Sequence, residues 1–404
     1  MPPRFAAVRS RNFRLLWLGL LISHTGTWMA SVGIGWTVYA LTGSPLYLGL
    51  NSLAFAAPML VLPIIGGVVA DRVPRVRLMM LCQAGMMAGA AALAILAHTG
   101  HLRVEVIIAL NFLEGVFLAF ENPTRQALIP DLVAPDALLS AVSLAGASYQ
   151  SAAFLGPALA GAVLSAVGNE RVYILFYLNA VSFGAVLLSL ALLRGVPERR
   201  AAGSGGSVWH YLREGLRYVR ETPATRTLIA LALVVSVCGR SYVALLPVFA
   251  RDILAVGARG LGFLLAAPGA GTIAGSLLLA ARGDIRHRGR YYVLANLGFA
   301  ACLAAFVLSR HVALSLAMLF VGGGLVATAG TTLVTMLQER TPPQVRGRVL
   351  SLITMTFIGA PSLGGLLMGA TATAAGAPAA LLAGAAVVAT AMLSAGARTV
   401  MTER

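Results

Sequence analysis

No lysine occurs in this 404-residue chain, so all 30 basic residues are arginines. A phosphate-cradling P-loop needs its lysine, and Schiff-base chemistry needs a lysine amine. An ATP-driven pump built into the chain and a lysine-dependent enzyme are therefore excluded. Charge of any kind is scarce. Charged residues make up 11% of the chain, against about 25% in a soluble domain, which argues against an ordinary soluble enzyme. Cysteine is scarcer still. Cys82, Cys238 and Cys302 lie far apart in apolar runs, with neither a disulfide framework nor metal-ligand spacing. They read as small buried hydrophobes. The apolar segments also lack H-E-x-x-H and G-x-S-x-G, the signatures of zinc and serine hydrolases.

What remains is 58% hydrophobic. A spanning helix needs about 20 mostly apolar residues, and the chain supplies about twelve such stretches. In the first half they fall near 13–40, 46–70, 77–98, 104–121, 138–167 and 172–193. In the second half they fall near 227–250, 260–281, 291–309, 312–337, 349–374 and 379–397. The first stretch follows a basic head, as in a signal peptide, but it is too long for a signal h-region of about 7–15 residues. It is expected to be retained as a span.

Arginine sets the orientation. Arg4 to Arg14, Arg72 to Arg77, Arg125, Arg194 to Arg226, Arg282 to Arg290, Arg340 to Arg348, Arg398 and Arg404 fall on one side, while the other holds only Arg103, Arg171, Arg251, Arg259 and Arg310. The richer side is expected to be cytoplasmic and to carry both termini. The formal net charge of +16 suits an anionic inner leaflet rather than nucleic acid. At the midpoint a Gly/Ser stretch precedes Trp209, Leu212, Leu216 and Val219, which recur at helical spacing among arginines. This is either an amphipathic helix on the cytoplasmic interface or a plain connector.

The halves echo each other. Ala56–Pro58 recurs as Ala266–Pro268, "GPALAG" at 156–161 as "APSLGG" at 360–365, and "PDALLSAVS" at 135–143 as "PQVRGRVLS" at 343–351. Such repeats predict an all-α membrane protein of two six-helix bundles. Its expected parts are residues 1–194, a cytoplasmic linker over 195–225, and residues 226–404.

The stretch from Gly67 through Asp71 and Arg72 to Arg75 resembles the loop motif G-x-L-A-D-R-x-G-R-R of the major facilitator superfamily, with Pro74 and Val76 as departures. Gly156, Pro157 and Gly161 resemble the helix-five motif of drug–proton antiporters, with Ala160 in place of a glycine. "SHTGTWMASVGIGWTVYALTGSP" and "ENPTRQALIPDLV" resemble the branch that includes the enterobactin exporter and related secretion proteins. The resemblance implies twelve helices in two pseudo-symmetric bundles and a monomeric, multi-pass protein of the bacterial inner membrane. It implies small-molecule cargo, no cofactor, and efflux by alternating access in exchange for protons. Uptake or lysophospholipid flipping by the same fold is the alternative, with a non-transporting receptor behind both.

The resemblance further implies that Asp71 faces the positive end of helix eleven, near Arg346 and Arg348, and that Arg72 and Arg75 anchor the loop. Gly67 is expected to let another helix approach. Such a latch competes with a simpler reading in which the arginines only fix topology. Ionisable groups inside spans mark functional sites. Glu114 lies on one helical face with Asn111 and Glu121. It is the candidate proton carrier, or else a structural carboxyl. Glu121 is a further proton-coupling candidate, or a gate partner for Arg125 or the loop cluster. His24 is a relay, a cargo contact or a structural histidine. Arg240 either balances Glu114, meets an anionic cargo, or pairs with carbonyls or Tyr242. Helices one, four, seven and ten line the central cavity in this architecture, and Trp28, Ser31, Trp36, Asn111, Tyr149, Gln150, Thr331 and Thr335 complete the expected cargo cavity, because aromatics with scattered hydroxyls and amides suit an amphipathic organic cargo.

Two tests follow from the sequence. Cysteines placed at Ser204 and Gly100 should be labelled only from the cytoplasm and only from outside, respectively; the reverse pattern overturns the orientation. Asp71→Asn should leave expression intact, reduce transport and shift the population inward-facing, because a coupling of about 1–3 kcal/mol is about 5- to 150-fold in the equilibrium between the two states. Normal transport by that variant removes the latch.

Overall fold

A backbone in hydrocarbon has no water to bond, so it must satisfy its amides and carbonyls within helices or a closed barrel. This chain uses helices throughout. The computed structural model describes residues 6–196, 208–283 and 285–396. In order the helices are α1 (Arg11–Thr42), α2 (Pro45–Val61), α3 (Pro63–Arg72), α4 (Arg75–His98), α5 (Val104–Leu128), α6 (Leu138–Val167) and α7 (Tyr173–Ala191). Then come α8 (Val208–Glu221), α9 (Pro223–Val234), α10 (Tyr242–Val248), α11 (Gly257–Arg282), α12 (Arg288–Leu308), α13 (Val312–Arg340), α14 (Pro343–Ala375) and α15 (Ala377–Ala391).

Among the described residues ten helical segments are long and apolar enough to cross a membrane. Two more complete the expected twelve. The second span is split into α2 and α3, where Pro63 opens a new helix beyond Leu62. The fourth, α5, carries Glu105, Glu114, Glu121 and Arg125, whose charges lower its hydropathy. Both spans are thus marked by the features that interrupt them. The seventh span is a composite of α9 and α10, joined by a π-helical turn over Val235–Gly239.

The chain forms two compact units. One comprises Met1–Thr42, Ala54–Ser204 and Gly257–Gly262; the other comprises Gly43–Leu53, Gly205–Val256 and Phe263–Arg404. Each unit therefore takes in a short segment from the opposite half of the sequence.

In the first unit α1 packs on α6 and α7, and α4 packs on α5 and α7. The α1–α7 crossing has a simple basis. Gly19, Gly26 and Gly33 are spaced seven residues apart, about two helical turns. A Cβ on Gly19 would strike Ser189, one on Gly26 would strike Ser182, and one on Gly33 would lie 2.8 Å from the Phe176 ring. Lipid tails are as apolar as leucine, so helices associate here through close van der Waals packing at small residues. Gly66 plays the same part between α3 and α5, where a Cβ would lie 2.5 Å from the Ala119 carbonyl oxygen. The close approach expected at Gly67 falls on Gly66 instead. Successive helical residues point about 100° apart, and a Cβ on Gly67 would meet nothing within 4 Å.

The helix-five glycines are contact points. Gly156 lies against Trp28 and the Thr25 carbonyl of α1. On another face, a Cβ on Gly262 would sit 2.6 Å from the Gly161 amide and 2.7 Å from the Pro157 carbonyl oxygen. Asn169 accepts a hydrogen bond from the Arg259 amide at 2.9 Å, holding that same segment, whose first glycine, Gly257, has φ +69°.

The second unit is built alike. Gly271 faces Phe320, Gly275 lies with a Cβ position 2.7 Å from the Gly324 carbonyl oxygen, and Gly323 faces Pro268. Gly322–Gly324 form a run of three glycines. They lie inside the continuous helix α13, and Gly323 and Gly324 supply the opposing surface for α11. At Gly49 and Gly369 the α2 segment of this unit meets α14, with Cβ positions 2.5 Å from the Gly365 carbonyl oxygen and 2.6 Å from the Pro45 carbonyl oxygen.

Both units clamp the start of their third span to the end of their fourth. In the first unit Arg75 donates to Asp131 at 2.5 Å and to the Ala127 carbonyl at 2.9 Å. In the second Arg288 pairs with Glu339. α8 is docked on α14: Glu214 pairs with Arg348 at 2.7 Å, and Gly215 rests on the Arg348 stem and Leu352. Arg213, Leu216, Arg217 and Arg220 remain exposed on α8; the side chains of Trp209 and Leu212 lie outside the described residues.

Gly271→Ala should lower the thermal unfolding midpoint of the purified protein, at about 1–3 kcal/mol for overpacking, whereas Gly67→Ala should leave it unchanged. Equal midpoints would contradict the packing assigned to the α11–α13 crossing.

Candidate functional site

One cluster of ionisable groups in the first unit forms around Arg125. On α5 Arg125 lies one turn beyond both Glu121, at i−4, and its neighbour Asn122, at i−3. Arg125 Nη2 donates to Asn122 Oδ1 at 2.6 Å. Its Nε lies 3.5 Å from Glu121 Oε1, an ion pair longer than a hydrogen bond. Its Nη1 lies 3.0 Å from His24 Nε2 of α1. An arginine nitrogen can only donate, so His24 Nε2 accepts, and the proton of a neutral His24 sits on Nδ1. That Nδ1 is buried without a partner, as are both oxygens of Glu121 for hydrogen bonding. The His24 ring meets Tyr149 of α6 edge-on at 5.3 Å, and Trp28 meets the same tyrosine at 6.2 Å.

Sequence features build this group locally. Pro123 sits inside α5 and removes one backbone donor. His24 and Trp28 are one turn apart on α1, so both reach Tyr149. Glu121 is 1% exposed; a carboxylate so enclosed demands a cation, and Arg125 is the one in reach. The buried thiol of Cys82 on α4 lies within electrostatic reach of Glu121.

Glu114 stands apart, two turns away on α5. With Asn179 of α7 and Phe117 it lines a cavity of about 10 Å³ between α1, α4, α5 and α7, on the scale that one water requires. Its Oε1 is buried without a partner. Asn179 Oδ1 lies 3.4 Å from the hydroxyls of Thr27 and Ser182, which leaves its amide NH₂ as a donor. Asn111, on the same side of α5, is buried.

The remaining expected residues are scattered. Ser31 is exposed and bonds back to the Trp28 carbonyl at 2.7 Å. Trp36 is half-buried, and Tyr149 and Gln150 are exposed on α6. Thr331 and Thr335 belong to the second unit and donate to carbonyls of their own helix, α13. Arg240, also in the second unit, lies 5.6 Å from the centre of the Phe357 ring. Arg72 is exposed. Arg346 Nε donates to the Thr341 carbonyl at 3.3 Å, and Arg348 is engaged by Glu214. The Asp71 side chain lies outside the described residues.

Sequence reading passed over Asn122, Asp131, Asn179, Glu214 and Phe357. The spacing of Asn122 to Arg125, one turn, was a signal in plain view, and Asn179 is a lone amide in an apolar run. Asp131 and Glu214 find their arginines across 56 and 134 residues of sequence, and no local pattern announces them. Among the described residues no group of three histidine, cysteine or carboxylate side chains could hold a metal ion.

Known proteins place this arrangement. The profile of the family described as "Transmembrane secretion effector" matches residues 3–403. The staphyloferrin A transporter of Staphylococcus aureus (strain NCTC 8325 / PS 47) is 27% identical over 348 residues, which cover 85% of each chain. The enterobactin exporter EntS of Shigella boydii serotype 18 is 26% identical over 362 residues, 88% of this chain and 85% of that one. In fold, the chain is similar to a bacterial homologue of the human lysosomal transporter Spinster, with a TM-score of 0.75 at 14% identity over 98% of each chain. It is also similar to the nucleoside transporter NupG, with a TM-score of 0.71 at 13% identity over 98% of this chain and 100% of that one. The chain belongs to the transmembrane secretion effector family: it is a multi-pass membrane transporter of the major facilitator fold, and not an enzyme.

Proposed function

We propose that this transporter exports a small amphipathic organic molecule, of the siderophore, drug or metabolite class, in exchange for protons and by alternating access. It works as a monomer in a bacterial inner membrane, with both termini cytoplasmic. The observation that carries this reading is Glu114, an acid within a span whose buried oxygen has no protein partner and faces a water-sized cavity. An ionisable group kept inside a membrane at such expense is retained for a function, and moving protons is the function open to a lone carboxyl. The names of two relatives, a staphyloferrin A transporter and an enterobactin exporter, support a siderophore-like cargo.

The two carboxylates of α5 divide the work. Glu121 is held by Arg125, which is also held by Asn122 and His24. Its charge is balanced, so it serves the architecture of the group. Among the described residues no cation pairs with Glu114, so its neutral and ionised forms can exchange without breaking an ion pair. Water in the small cavity, bonded to Asn179, gives the proton a route off the carboxyl. His24, bonded to Arg125 as an acceptor, would have to leave that guanidinium before it could take a proton.

Glu114→Gln mimics the protonated acid. In inverted vesicles it should retain cargo binding and downhill exchange while losing accumulation driven by an imposed pH gradient. Accumulation at the wild-type rate moves the coupling residue elsewhere, with His24 next to be tested; loss of binding makes Glu114 a cargo ligand or a structural partner. Glu121→Gln should be milder in coupling but harsher in stability. Breaking a buried pair leaves Arg125 uncompensated, at about 3–5 kcal/mol, read as a lower unfolding midpoint.

A further inference from the structure

The second unit holds a cation that the transport reading leaves unused. Arg240 follows the π-helical turn Val235–Gly239, and its amide closes that turn on the Val235 carbonyl at 2.9 Å. π-turns inside helices recur at functional sites. This one is braced by three neighbours. Gly364 of α14 lies against Ser241 and the Val237 carbonyl, Gly384 of α15 lies against the Cys238 carbonyl, and Gly239 faces Phe299 of α12. Ser241 Oγ reaches the Pro361 carbonyl at 3.0 Å. The turn is rigidly held, and it presents a half-buried guanidinium within a membrane span.

Among the described residues no carboxylate of this unit answers that guanidinium. Among the described residues of this unit the carboxylates are Glu214, Glu221, Asp252 and Glu339, and each pairs with another arginine: Arg348, Arg217, Arg251 and Arg288 respectively. Nor does Arg240 donate a hydrogen bond to any described group; the Phe357 ring lies beside it, and Tyr242 stands within electrostatic reach. An unpaired charge in a span is costly and is kept when it serves a substrate or ion path. A guanidinium that rests on an aromatic ring keeps its planar N–H edges open, and two parallel N–H donors match the two oxygens of a carboxylate.

We propose that Arg240, seated against Phe357, is the binding site for the carboxylate of an anionic organic cargo. The proposal rests on the transporter reading above and narrows its cargo to molecules that carry such a group beside an apolar or aromatic body. The carboxylate takes the guanidinium edges, and the Phe357 ring flanks the body. When no cargo is bound, Arg240 stays unpaired, which makes it a source of instability in the empty protein.

The test uses the full-length protein in nanodiscs, with 4-phenylbutyrate as probe and its uncharged methyl ester as control. Thermal unfolding is followed with each at millimolar concentration. In the wild type the acid should raise the unfolding midpoint and the ester should not. Arg240→Met should weaken the acid's affinity by about tenfold to a hundredfold, the size of hydrogen bonds to a charged group. Arg240→Lys should retain part of the shift, because a point charge replaces the fork. Arg251→Gln, at an exposed site further along the same span, should retain all of it. Without ligand, Arg240→Met should melt at or above the wild-type temperature, whereas an arginine that merely supports the fold would leave a less stable protein on removal. Equal shifts from acid and ester, no shift from the acid in the wild type, an undiminished shift in Arg240→Met, or a destabilised empty Arg240→Met would each overturn the proposal. Export has its own readout in the vesicle assay. Absence of gradient-driven accumulation there, with the carboxylate shift intact here, removes the export reading and leaves the site; gradient-driven export that favours the ester equally and ignores Arg240 does the reverse.

Discussion

Close contact between helix backbones is the interaction on which the rest of this protein depends. In water a helix pair is driven together by its apolar faces. In a bilayer that drive vanishes, and association rests on van der Waals packing wherever small residues allow it. Gly19, Gly26 and Gly33 bring α1 onto α7; Gly66 and Gly115 bring α5 against the second span; Gly271 and Gly275 meet Gly323 and Gly324 between α11 and α13. A side chain at these points would separate the helices and every polar group mounted on them. The 3.0 Å contact between His24 and Arg125 spans α1 and α5, so it exists only because those helices are held at fixed depth.

The same solvent explains how charge is distributed. A carboxylate or guanidinium in hydrocarbon is tolerated when paired, and the paired ones here are mostly structural. Arg75 with Asp131 and Arg288 with Glu339 occupy corresponding places in the two halves and tie the third span to the fourth. Glu121 is held by Arg125. Against that background two groups within spans stand out among the described residues for lacking an opposite charge, Glu114 in the first unit and Arg240 in the second. On the proposed reading one takes a proton and the other an organic anion, and separate sites of opposite sign are one physical way to serve an exchange of the two.

The linker helix adds a contact with consequences for the loops around it. Sequence resemblance directs attention to Arg348 as a partner for Asp71, yet α8 supplies Glu214 to that arginine at 2.7 Å. Arg346 is turned to the Thr341 carbonyl. α8 is therefore more than a connector. It covers the start of α14 and leaves Arg213, Arg217 and Arg220 exposed with Leu216, a face of the kind that rests on anionic headgroups.

Much of the fold is written in composition and periodicity, because hydrocarbon imposes length and polarity on each span regardless of its neighbours. Twelve spans, the repeat of six, and Glu114, Glu121 and Arg240 as costly intramembrane charges were all legible from the chain. So was the pairing of Glu121 with Arg125, since one helical turn separates them. Tertiary structure decided what each of these residues faces. The helical face that carries Glu114 could have opened on a cargo path, but packing turns it to a small cavity beside Asn179. Gly67 and Gly66 differ by one position in sequence, and only Gly66 lies against α5. Rotation about a helix axis is set by which small residues meet across the interface, and that choice depends on two helices at once. A linear sequence shows each helix alone, so it announces that a charge is buried but not what the charge will find there.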